Sequence, residues 1–234
     1  MTGAYVLPAQ AVPSAAVVGT AARFAVRRIF CVGQNYASHA REMGSDPHRE
    51  PPFFFMKPAT ALLGDNAELP YPPRTANLHH EVELVAAIGR GGRRIAAAAA
   101  LGHVYGYAIG NDFTRRDLQA VAKEKGRPWD VAKGFDHSAG LGPIHPVAGA
   151  VHPAKGAIWL TVNGHERQRG DLADMIWTVA DVLAELSTLF DLEPGDLVYT
   201  GTPAGVGAVT TGDVVVAGID GFGTLTTRIV APAG

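Results

Sequence analysis

Three acidic residues carry the first chemical signal in the chain. Glu81 and Glu83 stand in the apolar run Glu81-Val-Glu-Leu-Val-Ala-Ala-Ile88, and Asp112 follows in Gly110-Asn-Asp. In an extended segment, period two puts Glu81 and Glu83 on one face and Val82 and Leu84 on the other. Carboxylates are hard oxygen donors that suit Mg2+, Mn2+ or Ca2+, and three of them leave positions open for water and a chelating substrate. The competing reading of such a pair is a solvated strand face. Unpaired acids inside so apolar a run, however, need a cation or a proton. The second signal is His39 with Glu42, three apart, the spacing at which a helix brings a carboxylate to an imidazole. Such a pair can deprotonate water, because imidazole titrates near neutrality and a carboxylate supports the imidazolium; an exposed helix pair is the alternative. The third is a polar set, Arg116, Gln119, Lys133 and Thr202. Arg116 and Gln119 share a helix face just after Asp112, where they would sit above a metal, and Lys133 would neutralise an enolate. Surface solvation is the plainer reading of each.

These side chains need elements to hold them. A β-like run over Phe24–Val32 leads into a Gly33–Tyr36 turn, and Asn35, a good cap residue, opens a short helix to Met43 that Gly44 stops. Ser45–Pro52 is polar and aperiodic, a loop placed to act as a lid, and Phe53–Met56 resumes as a strand. Strands are expected over Glu81–Ile88 and Tyr105–Gly110, the latter ending at Asn111-Asp112, with helices over Ile95–Leu101 and Arg115–Lys125. Ala157–Val162 with the Asn163-Gly164 turn forms half a hairpin, and Met175–Phe190 has helical period. Leu197–Tyr199, Val214–Val216 and Leu225–Val230 complete the strands. Such an order gives an α+β, mostly β roll, not alternating βαβ units.

Composition narrows the class. The 234 residues fit one β-rich domain, residues 24–234, behind an extended Ala/Pro-rich lead-in over 1–23. Apolar residues make up 47% and charged ones 18%, which gives the chain a core to bury. Twenty Lys and Arg against 22 Asp and Glu leave a formal charge of -2, no field to recruit nucleic acid or an acidic membrane. With 28 glycines and 16 prolines the chain turns often. Cys31 is the single cysteine, so no internal disulfide forms and the residue reads as a small core side chain. Nothing resembles a signal peptide or a membrane span, so the expected location is the cytoplasm.

Six ordered motifs match a known pattern. They are Cys31-Val-Gly-Gln-Asn-Tyr-Ala-Ser-His-Ala-Arg-Glu-Met-Gly44, Phe54-Phe-Met-Lys-Pro58, Glu81-Val-Glu-Leu84, Gly110-Asn-Asp-Phe-Thr-Arg-Arg-Asp-Leu-Gln119, Pro128-Trp-Asp-Val-Ala-Lys-Gly-Phe-Asp136 and Gly195-Asp-Leu-Val-Tyr-Thr-Gly-Thr-Pro-Ala-Gly-Val-Gly207. In order and spacing they resemble the fumarylacetoacetate hydrolase family over about residues 24–230. Residues 41–55 within them resemble the fumarylpyruvate hydrolases of aromatic-acid catabolism. The resemblance implies the mixed β-roll of the family's catalytic domain, a homodimer, and hydrolysis of a carbon–carbon bond in an acylpyruvate. It implies Glu81, Glu83 and Asp112 as ligands of Mg2+ or Mn2+, His39 and Glu42 as the pair activating water, Lys133 as the group stabilising the enolate, and Arg116, Gln119 and Thr202 as substrate contacts. Isomerases and decarboxylases of 2-oxo or 2-hydroxy-diene acids share the scaffold, and a catalytically idle binding protein is the alternative from another class. Gln34 stands where the family usually has arginine. For a fumaryl group, a second cation is needed, and Arg41, Arg49 and His79 are the candidates. Three carboxylates with one divalent ion leave about one net negative charge, which Lys133 and Arg116 reverse.

Overall fold

The computed structural model describes residues 6–43, 51–147, 149 and 151–232. The expected mostly β roll is present as mixed sheets with short helices. The largest sheet runs in the order Phe53–Lys57, Arg28–Gly33, Asp196–Tyr199, Val82–Ile88, Val104–Asp112, Ala139–Leu141 and Leu62–Leu63, with His145–Pro146 also paired to Val104–Asp112. Its neighbours are antiparallel except Asp196–Tyr199 beside Arg28–Gly33 and Ala139–Leu141 beside Leu62–Leu63. A second sheet runs His165–Asp171, Ala157–Val162, Val214–Ile219, Gly223–Val230 and Ala67–Pro70. A small sheet of Thr114–Arg115, Leu78–His80 and Gly207–Val209 closes one end.

Alternation explains the layers. Phe30, Val32, Leu84, Ala86, Ile88 and Ile109 face one way and form one core with Ile158, Leu160, Val215, Ala217 and Ile229 of the second sheet and Val182, Leu183 and Leu186 of the helix Val179–Leu189. Ile29, Cys31, Val85, Ala87, Ala108, Leu197 and Tyr199 face the other way, into a smaller core with Ala15, Val17 and Val26. The central strands are therefore buried on both faces, which is why Val82–Ile88 reads as a nearly continuous apolar run. Cys31 is a core residue, and burial pushes its thiol far up in pKa.

Several boundaries differ from expectation, each because a tertiary bond prevails over a local pattern. The Phe24–Val32 run is broken: Arg23–Ala25 pairs with Ser14–Ala16 in the lead-in, and only Arg28–Gly33 joins the large sheet. At the break Arg28 makes a two-pronged contact with the buried Asp196, at 3.0 and 2.7 Å, and Arg27 lies 3.3 Å from the same carboxylate. The last long helix starts at Val179, not Met175, because Thr178 and Asp181 form a capping box while Ile176 and Trp177 donate to Asn35. Asn35 is thereby engaged and does not cap the helix Ala37–Glu42. The strand Val104–Asp112 ends at Asn111-Asp112 as expected, with those residues paired to Ala139–Leu141. The helix over Ile95–Leu101 shortens to Ala97–Ala100 with a 3-10 turn, Leu101–His103. Of the expected lid over Ser45–Pro52, 45–50 lie outside the described residues.

Candidate active site

The two Glu residues and Asp112 come together because adjacent antiparallel strands end together. Val82 pairs with Asn111 and Glu83 with Gly110, and the Asp112 N–H donates to the Glu81 carbonyl at 2.8 Å. A side chain at 110 would put its Cβ 2.5 Å from Val85 Cγ2 and 2.6 Å from the Tyr199 ring, so glycine is needed opposite Glu83. All three carboxylates are buried, and one oxygen from each lies within 4.8 Å of the others. Gly201 donates its N–H to Glu83 Oε2 at 2.7 Å from a left-handed conformation, φ 99°, with Asn35 packed where a Cβ would fall.

Cations balance the acids. Lys133 Nζ bridges Glu81 Oε2 at 2.8 Å and Asp112 Oδ2 at 2.7 Å. Arg116 pairs with Glu81 Oε1 and donates to Gln119 Oε1 at 2.5 Å. Lys57, to which the sequence reading gave no role, is fully buried with Nζ 2.7 Å from Asp112 Oδ1 and donates to the Phe113 carbonyl at 3.1 Å. With Lys57 three cations stand beside the three carboxyl groups, one more than the two counted from the sequence. The electrostatics divide the acids. Burial raises the Glu81 carboxyl, but Lys133 and Arg116 outweigh it and hold the group well below the usual range. Burial, then repulsion from Asp112 and Glu81, pushes Glu83 well above it. Lys133 loses by burial but is raised overall by Asp112 and Glu81. His79 is pushed down to about 4 by burial and by Arg116.

This donor set fits a hard divalent ion. Besides the three convergent oxygens, Asp112 Oδ1 is buried with no hydrogen bond, since Lys57 approaches it outside hydrogen-bonding geometry. Burial and the like charges of Asp112 and Glu81 favour the protonated form of Glu83, and an arriving cation would favour its ionised form.

His39 lies in the helix Ala37–Glu42, buried, with Nδ1 3.0 Å from Glu42 Oε2. A carboxylate only accepts, so Nδ1 carries the hydrogen and Nε2 keeps its lone pair. Glu42 is itself exposed and also takes the Gly205 N–H at 3.4 Å. His39 lines the cleft above the acids and Glu42 does not, so Glu42 orients the imidazole from behind. The cleft encloses about 370 Å³ including its mouth and gathers His39, Glu81, Glu83, Arg116, Gln119 and Lys133. Thr202 lines it too. Its walls are Phe53, Phe55 and Trp129, with Trp129 edge-on to Phe53 at 5.3 Å. Gln34 is also in the wall, in the left-handed region at φ 58°.

Behind Thr202 lies a buried chain that the spacing of residues did not reveal. Gln168 Nε2 donates to Thr202 Oγ1 at 2.8 Å and to the Pro203 carbonyl at 2.9 Å. Its Oε1 accepts from Val82 N–H at 3.1 Å and meets His80 Nδ1 at 2.8 Å. Gln168 comes from the hairpin strand His165–Asp171, whose sequence is polar throughout, so no pattern marked it as buried.

Comparisons with known proteins find relatives over most of the chain. Residues 28–230 match the family described as Fumarylacetoacetate (FAA) hydrolase C-terminal. The chain is 45% identical over 184 residues to a fumarylpyruvate hydrolase of Ralstonia sp, covering 79% of this chain and 95% of that protein. It is 41% identical over 206 residues to the mitochondrial oxaloacetate tautomerase of Homo sapiens, covering 88% and 93%. The crystal structure of fumarylpyruvate hydrolase from Pseudomonas aeruginosa in complex with Mn2+ and pyruvate superposes with a TM-score of 0.95 at 51% identity, over 97% of this chain and 100% of that one. With a buried acidic triad suited to a divalent metal and relatives that are enzymes of one fold, the chain belongs to the fumarylacetoacetate hydrolase family.

Proposed function

We propose that this enzyme hydrolyses the carbon–carbon bond of an acylpyruvate, with fumarylpyruvate cleaved to fumarate and pyruvate, as a cytoplasmic homodimer in aromatic-acid catabolism. The observation that carries the reading is His39, backed by Glu42, lining the same cleft as the acidic triad. An isomerase or decarboxylase needs an enolate stabilised but no water activated.

Glu81, Glu83 and Asp112 would hold Mg2+ or Mn2+, which would supply a Lewis acid for the 2-oxo acid end of the substrate. His39 Nε2 takes a proton from water as the water oxygen adds to the carbonyl of the acyl group, and Glu42 stabilises the imidazolium. The bond between that carbon and the methylene then breaks, leaving its electron pair on the pyruvyl unit as an enolate. Lys133 and Arg116 offset the growing negative charge, and Thr202 donates its hydroxyl proton to a substrate oxygen. The imidazolium returns a proton to the methylene carbon, which yields pyruvate and regenerates His39.

The experiment is a panel of acylpyruvates and oxaloacetate, assayed with Mg2+ and Mn2+ and with products identified by NMR. Cleavage of acylpyruvates is expected. Tautomerisation or decarboxylation of oxaloacetate without acylpyruvate cleavage would favour the second reading, which the similarity to an oxaloacetate tautomerase supports.

A further inference from the structure

The helix Arg116–Glu124 carries Arg116, Gln119 and Lys123 at positions i, i+3 and i+7, which is one helical face, and all three line the cleft. Three of the described lining residues are lysine or arginine, and two are engaged: Arg116 on Glu81 and Lys133 on Glu81 and Asp112. Lys123 is exposed and has no ion pair or hydrogen bond from its side chain to any described residue. The other candidates are less suited. Both ring nitrogens of His79 are occupied, Nδ1 by Arg116 Nε at 3.2 Å and Nε2 by Asn77 Oδ1 at 2.9 Å. Arg41 is exposed and does not line the cleft, and Arg49 lies outside the described residues.

We infer that Lys123 determines substrate specificity, by taking the second carboxylate of a dicarboxylic acylpyruvate whose 2-oxo acid end lies at the triad. This rests on the proposed function and names the substrate class within it. The dimensions agree. Lys123 stands about 10 Å beyond Arg116 along the helix axis at 1.5 Å per residue, and a lysine stem is long and flexible enough to bring its ammonium back toward the cleft. The terminal carbons of a seven-carbon acylpyruvate are about 7.5 Å apart at about 1.25 Å per bond, the advance of an extended chain. Phe53 and Trp129 line the same cleft as the triad and Lys123, and their apolar rings suit a flat unsaturated linker better than a charged one. A neutral acylpyruvate would use the triad and leave Lys123 in water.

The test compares wild type with Lys123→Met, Lys123→Arg and Lys123→Glu on fumarylpyruvate and acetylpyruvate, by kcat/KM at low and high salt. Wild type is expected to prefer fumarylpyruvate by about 10-fold, the size of one charge-assisted hydrogen bond at a solvent-exposed site. Lys123→Met should lose that preference and Lys123→Arg keep most of it, with acetylpyruvate cleaved alike by all. Lys123→Glu should reverse the preference, and salt should narrow it in wild type, Lys123→Arg and Lys123→Glu but leave Lys123→Met unchanged. Calorimetry of 2-oxoheptanedioate against 2-oxoheptanoate on the Mn2+-loaded protein reads the same subsite without turnover. Lys123→Met should weaken only the former. If wild type cleaves neither acylpyruvate, the hydrolase reading fails and calorimetry alone decides about Lys123. If cleavage occurs and Lys123→Met leaves both ratios unchanged, or lowers both substrates together, the inference is overturned and the hydrolase reading stands.

Discussion

Replacing Gln168 by Glu should disable Thr202 without touching the cleft. The amide orientation of Gln168 is fixed by groups that cannot change role: the Val82 N–H can only donate to Oε1, and the Pro203 carbonyl can only accept from Nε2. Thr202 Oγ1 therefore accepts from Nε2, and its own proton is free to point into the cleft. In Gln168→Glu the second carboxylate oxygen replaces that nitrogen, so the Thr202 hydroxyl turns back to donate to it and the cleft loses a donor. A hydrogen bond to a charged acceptor contributes about 1.5–3 kcal/mol, so kcat/KM should fall about 10- to 150-fold. The lost bond to Pro203 adds a structural cost of about 1–3 kcal/mol, seen as a lower Tm. Steady-state kinetics on a double-mutant cycle with Thr202→Val separates the two. In the Thr202→Val background, Gln168→Glu should lower Tm again but leave kcat/KM unchanged. Additive losses of kcat/KM, or a Gln168→Glu variant that is less stable and fully active, would refute the reasoning.

Two other outcomes follow from the geometry. His39→Ala should lower kcat by about 10²–10⁴ with little change in KM, because the imidazole acts on water while other groups hold the substrate, and a normal kcat would return the pair to the helix surface. Chelated protein should be inactive and regain activity with Mg2+ or Mn2+. Since burial, Asp112 and Glu81 raise Glu83 above the usual range, ion uptake should release about one proton. The sign is set by that shift. The metal-free fold binds more protons than the unfolded chain, so it loses stability as pH rises above the ordinary carboxylate range and affinity for the ion rises over the same window. Calorimetry in buffers of different ionisation heat, with Tm against pH, checks both.

The acids were legible from their place in an apolar run, whereas the His39–Glu42 pair and Lys133 stood against a plain surface reading until the six ordered motifs, taken together, favoured a role for them. Lys57 was not legible: it ends an apolar strand at the edge of the sheet, and only the fold shows that its side chain reaches Asp112. Gln168 was hidden for the opposite reason, as one inward residue in the polar run His165–Asp171. Asn35 had the right type for a helix cap, yet long-range bonds to Trp177 and Thr200 claim it, and local propensity could not anticipate partners so distant in sequence. The same competition moved the start of the last long helix to Val179. The roll itself was readable from strand patterning, while the order of strands was not, because several neighbours in the large sheet are far apart in sequence.

The central claim is that His39 and Glu42 activate water for carbon–carbon cleavage. Turnover of fumarylpyruvate in H2(18)O by the Mn2+-loaded enzyme, with mass analysis of the fumarate, tests it most directly. The account predicts fumarate and pyruvate in equal amounts and one solvent oxygen in each fumarate, a yield that collapses in His39→Ala. Recovery of an uncleaved isomer, or fumarate without solvent oxygen, would contradict it.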